Sequence, residues 1–165
     1  MSPTIPERLR AFYAEHQDQL YTYAMAITHH REAAEDAIHQ AFHRLLQRDS
    51  LPTDLRPYIF RCVRNAALDT WRHDRGRTGS LFDNTAPPAD LPAPAATPPP
   101  LSPAEAEAAL AALSPDERET IVLKIYDDFS FQEIADLRGI PLSTASSWYR
   151  RGLAKLRTFW IKETA

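Results

Sequence analysis

Two histidines, His39 and His43, stand four residues apart, with Asp36 three residues before the first. On one face of a helix, two imidazoles and a carboxylate could grip a divalent cation. The general base that a small metal-dependent enzyme needs is not built in. No His-Glu-x-x-His string occurs, and His16, His29, His30 and His73 offer no convincing further ligand spacing. The 4 glycines are too few for a phosphate-cradling loop, and neither GxxxxGK nor GxGxxG is present. Cys62 is the sole cysteine, which excludes an internal disulfide and an all-thiolate zinc site. The histidines suit surface or edge-of-core positions, and neither a cofactor nor a catalytic role is expected.

Two other stretches carry a different chemistry. Arg61, Arg64, Asn65, Asp69, Arg72 and Arg75 fall on the outward side of one predicted helix, interleaved with Tyr58, Phe60 and Trp71. Guanidinium and ring planes together are what stacking on unpaired bases requires, although each ring taken singly also fits a core. Farther on, Thr144, Ser146, Ser147, Trp148, Arg150 and Arg151 gather hydroxyls, an indole and two guanidiniums on one short helix, a set suited to base edges and phosphates of duplex DNA. The formal charge of −3 hides this pattern. Arg56–Arg77 holds six Arg against two Asp, net +4, and Trp148–Lys162 holds five basic residues and no acid, net +5, so the remainder carries −12. Two basic stretches in an acidic chain are the footprint of two separate nucleic-acid contacts.

The elements that must position these residues are all helical. Leu9, Phe12, His16, Leu20, Tyr23 and Ile27 recur at steps of three or four, as do Ala34, Ile38, Ala41, Phe42 and Leu45, and then Leu55, Ile59, Val63, Ala66 and Ala67. The turn-rich Arg48–Asp54 separates the second and third of these helices, and Gly76 and Gly79 end the third. Ser102–Glu105, Ser114–Glu117 and Ser130–Glu133 are three capping boxes. They predict helices near 103–112, 115–127 and 131–138, with a last one near 144–160. Gly139 between the last two supplies a positive-φ turn, which makes them a helix-turn-helix with Thr144–Arg151 as its reading helix. Eight of the 14 prolines lie in Pro87–Pro103, beside Ala89, Ala93, Ala95 and Ala96, so this stretch reads as extended, polyproline-like chain. The expected fold is all-α. A three-helix unit (1–76) and a four-helix helix-turn-helix unit (102–165) flank a Pro/Ala-rich tether (77–101). No apolar run approaches a membrane span and the first eight residues carry no apolar leader, so a cytoplasmic protein is expected.

With these residues in view, the sequence resembles the bacterial RNA polymerase sigma factors of the extracytoplasmic-function group, over almost its whole length. Glu32–Phe42 is similar to the family's AED-x-x-Q-x-x-F string, and Arg64–Arg72 to its RN-x-x-x-D-x-x-R string. Leu113–Glu119 with the helix-turn-helix after it resembles the family's −35-binding domain. The resemblance implies that Glu35, Asp36, His39 and Gln40 dock core RNA polymerase. It implies that the Arg61–Arg75 set, with the Arg48–Asp54 loop, engages the melted −10 element, and that Thr144–Arg151 reads the −35 element of promoter DNA. An anti-sigma protein is a further partner found in the family. Ser143–Trp148 departs from the Gly-Thr-Val-Lys-Ser-Arg-like string usual there, leaving Arg150 and Arg151 to take over phosphate contacts, and Tyr58 replaces a usual tryptophan. The 26 steps from Arg75 to Leu101, at about 3.1 Å each, reach roughly 80 Å. Two promoter elements about two DNA turns apart, near 34 Å per turn, lie within that reach. A helix-turn-helix regulator acting without polymerase would instead bind its duplex tightly alone, and an enzyme built on Asp36, His39 and His43 would carry metal.

Overall fold

The computed structural model describes residues 1–75 and 102–163. The predicted tether, with Gly76 and Gly79, lies outside them. In chain order the helices are α1 (Ile5–Thr28), α2 (Arg31–Leu46), α3 (Leu55–Arg75), α4 (Pro103–Ala111), α5 (Pro115–Ile121), α6 (Phe131–Arg138) and α7 (Leu142–Glu163). Among the described residues there is no strand, in line with the all-α expectation.

The first three helices bury the stripes seen in the sequence. Leu20, Tyr23 and Ala24 of α1 meet Ala34, Ala37 and Ala41 of α2, whose small side chains allow close approach, and Ile59, Val63, Ala66 and Ala67 of α3 complete the core. Pro6 stands in the first turn of α1, where its missing N–H is no loss, and Glu7 accepts the Thr4 backbone N–H at 2.8 Å. α1 ends at His29, a non-glycine left-handed residue (φ 61°) whose N–H reaches the Met25 carbonyl at 2.9 Å. The Arg8 guanidinium donates to the Pro52 carbonyl at 2.8 Å and pins the loop between α2 and α3.

All three predicted capping boxes form, at Ser102/Glu105, Ser114/Glu117 and Ser130/Glu133. α5 differs from its predicted 115–127 span. After Ile121 the backbone widens into a π-helical turn, Val122–Tyr126, closed by the Asp127 N–H on the Val122 carbonyl at 3.0 Å. α6 stops at Gly139 (φ 66°), with the Ile140 N–H on the Ala135 carbonyl at 3.0 Å, the turn expected of a helix-turn-helix. α7 starts two residues earlier than the predicted 144. Its Gly152 lies against α5 so closely that a Cβ there would sit 2.8 Å from Ile121 Cγ1.

The two units pack against each other. Val122, Leu123, Phe129, Ile134, Leu137 and Ala145 of the second belong to the same buried cluster as the first unit's core. The junction is aromatic. Phe60, which helical spacing put beside the basic face of α3, is wholly buried, 5.0 Å from Phe129 and 5.6 Å from Tyr23 between ring centroids. A smaller core of Ala109, Leu113, Ile121 and Leu156 holds α4, α5 and α7 together.

Candidate nucleic-acid interface

α3 carries its polar residues along one side, but they meet different surroundings. Asn65, Asp69 and Arg72 are exposed, and Arg72 Nη1 lies 3.8 Å from Asp69 Oδ1. Arg75 closes the helix, its side chain outside the described set. The other basic residues turn toward the second unit. Arg56 lays its guanidinium 4.1 Å from the Phe129 ring centroid. Arg61 donates from Nη2 to the Asp136 carbonyl at 2.7 Å. Arg64, expected on the open face, keeps 18% of its side chain exposed and pairs through Nε with Glu119 Oε1 at 2.5 Å. Of the three rings expected among the arginines, Phe60 is core, while Tyr58 and Trp71 are half-buried. Residues 48–50 and 52–54 of the neighbouring loop are exposed.

On α7, Ala145 is fully buried and anchors the helix, while Thr144, Ser146, Ser147 and Trp148 are half-buried and Arg150 and Arg151 exposed. Trp148 is less open than its helical position implied, because the Arg138 guanidinium covers its ring at 4.6 Å. Tyr149 packs edge-on against Phe131 at 5.2 Å. Lys155, counted above in the second basic stretch, is engaged by Glu117 Oε2 at 2.7 Å.

α2 presents Asp36, His39 and Gln40 to solvent within little more than one turn, and Glu35 beside them pairs with Arg31 at 3.0 Å. An open groove between α1 and α2 runs past Tyr13, Tyr21, Ile38 and His39. His43 meets Gln47 at 3.1 Å. Among the described residues no three His, Cys, Asp or Glu side chains converge as a metal site would require.

Periodicity missed one cluster of charged residues. Glu119, at 6% side-chain exposure, accepts from Arg64 and from the Tyr23 hydroxyl (2.5 Å) through Oε1, and meets Arg138 Nη2 at 3.0 Å through Oε2. Arg138 is also held by Asp116 at 2.6 Å. Burial alone would lower the Arg64 pKa, but the Glu119 charge and hydrogen bond outweigh it and raise the value. Arg118 ties the second unit's Leu110 and Leu113 carbonyls to His29 Nε2 of the first, at 2.7 Å. The string around Leu113–Glu119 was legible, but nothing in it marked Arg118 and Glu119 as buried.

Two family models match the chain, sigma-70 region 2 over residues 12–77 and sigma-70 region 4 over 104–156. The RNA polymerase sigma factor CarQ of Myxococcus xanthus is 32% identical over 149 residues, covering 88% of this chain and 84% of that one. The chain belongs to the sigma-70 family. The extracytoplasmic-function sigma factor SigE of Mycolicibacterium smegmatis is 27% identical, covering 92% of this chain and 61% of that one. Within the family the chain is a sigma factor of the extracytoplasmic-function group. The fold matches the sigma factor RpoE, solved in complex with the anti-sigma factor NepR from Bartonella quintana, at a TM-score of 0.68 with 21% identity, over 91% of this chain and 96% of that one. As a sigma factor it binds core RNA polymerase and promoter DNA and directs promoter-specific transcription. α2 and α3 fall in region 2, and α5, α6 and the first four turns of α7 in region 4. Among the described residues no helix is long and apolar enough to cross a membrane.

Proposed function

We propose a division of labour for this sigma factor. Its first unit, 1–76, docks core polymerase through Glu35, Asp36, His39 and Gln40 of α2. Arg61, Arg64, Asn65, Asp69, Arg72 and Arg75 of α3 take the melted −10 element, together with the Arg48–Asp54 loop. Thr144, Ser146, Ser147, Trp148, Arg150 and Arg151 of α7 read the −35 duplex, and 77–101 spans between the two units. The factor works in the cytoplasm, without catalysis or cofactor of its own, and an anti-sigma protein such as the one found with RpoE is its expected antagonist. The observation that carries this reading is the exposure of Asp36 and Gln40, one turn apart on a helix whose other side is core.

Asp36→Arg puts a cation where the dock needs an anion, at a site with no packing to lose. Far-ultraviolet circular dichroism should be unchanged, while retention on immobilised core polymerase should drop about 30-fold or more, the effect of losing a hot-spot contact of about 2 kcal/mol. Normal retention would remove α2 from the docking surface.

Trp148→Ala should separate reading from folding. The ring is half-buried under Arg138, so its loss should cost about 1–2 kcal/mol in thermal unfolding. Transcription from a promoter with an intact −35 element should fall at least tenfold at a temperature where the variant is fully folded. Unimpaired transcription there would take Trp148 off the DNA surface.

A further inference from the structure

Arg64 lies on the α3 face proposed to meet melted promoter, yet its guanidinium is already occupied. Glu119, from the other unit and 55 residues away in sequence, accepts from Arg64 Nε at 2.5 Å. A desolvated carboxylate offers an arginine the same anionic oxygen acceptor that a phosphate does, so the two compete for one guanidinium. Glu119 is well built for this. Its carboxylate is 6% exposed and is held in place by the Tyr23 hydroxyl on one side and Arg138 on the other. Next to it, Arg61 donates to the Asp136 carbonyl at 2.7 Å, which fixes α3 against α6, the first helix of the helix-turn-helix. A chain with these two helices in contact cannot place them on promoter elements about two DNA turns, near 34 Å each, apart.

We propose that Glu119 is an internal latch, holding the free sigma factor in a closed form that cannot read a promoter and occupying Arg64 in place of nucleic acid until core polymerase draws the units apart. The inference rests on the assignment of Arg64 to the −10 contact. A partner that binds only the open form sees its affinity reduced by the fraction of molecules that are open.

The test uses the full chain, its Glu119→Gln variant and its Tyr23→Phe variant. Glutamine keeps the shape and removes the charge, and Arg138 keeps Asp116 as its partner. Phenylalanine removes a single hydrogen bond from the opposite side of the junction. Glu119→Gln should raise the radius of gyration in small-angle scattering and tighten the dissociation constant for core polymerase about tenfold. Tyr23→Phe should shift both in the same direction by a smaller factor. Wild-type radius and wild-type core affinity in both variants would overturn the latch. Scattering decides this without DNA, and so separately from the role of Arg64. That role fails instead if Arg64→Ala transcribes normally from a promoter mapped with the wild-type factor.

Discussion

Truncating Phe129 to alanine should lower the unfolding free energy by about 3–5 kcal/mol, the range for removing a fully buried phenylalanine. The ring has no exposed surface and sits edge-on to Phe60 at 5.0 Å, with the Arg56 guanidinium 4.1 Å from its centre. Its loss therefore removes apolar burial, an aromatic pair and a cation–π contact together. The cavity opens at the junction of the two units rather than inside either. Urea denaturation should change in shape as well as midpoint, from one cooperative transition to two, the second-unit helices melting first. A loss below about 1 kcal/mol with one sharp transition would mean that the junction contributes little.

Asp127→Asn should abolish a pH dependence. The Asp127 side chain is fully buried at the end of the π-helical turn, and neither carboxylate oxygen has a hydrogen-bond partner. Burial pushes its pKa from 3.8 up to about 7, against the opposing pull of Arg56. The folded chain therefore keeps a proton that the unfolded chain releases near pH 4. Stability falls as pH rises between those two values and is lowest above the folded pKa. A shift of about three units corresponds to about 4 kcal/mol, or roughly 10 °C in melting temperature for a chain of this size. Asparagine has no charge to bury but leaves its amide unpartnered, at a cost of about 1–3 kcal/mol. The variant should thus melt below wild type near pH 4 and above it at pH 8. His29 titrates in the opposite sense, since burial and the Arg118 charge lower its pKa, and comparing the two proteins at each pH cancels its contribution. Parallel melting curves across that range would show that Asp127 is charged throughout.

Much of the architecture was legible because it is written in local spacing. The three serine–glutamate boxes, Gly139 and the apolar stripes of α1 to α3 each act within one or two turns of chain, where periodicity and capping chemistry are informative. What was not legible is what covers the far side of a helix. Phe60 beside arginines has the same spacing whether it faces a base or another unit, and only Phe129 distinguishes them. Glu119 looks like any solvated glutamate, because its partners Arg64 and Tyr23 are 55 and 96 residues away. The π-helical turn, which adds a residue to the helical repeat, leaves no mark in a 3.6-residue pattern. The outward Asp36, His39 and Gln40 of α2 were readable for the converse reason, since the opposite face of that helix is plainly apolar.

The long reach of the junction also sets an order of events during synthesis. α3 is complete at Arg75, whereas Phe129 follows 54 residues later. At about 5–20 residues per second a ribosome needs roughly 3–11 s for that interval. For most of those seconds the nascent first unit has its own helices but no Phe129 over Phe60 and no Glu119 beside Arg64. Every newly made molecule therefore passes through an uncovered stage before its two halves meet.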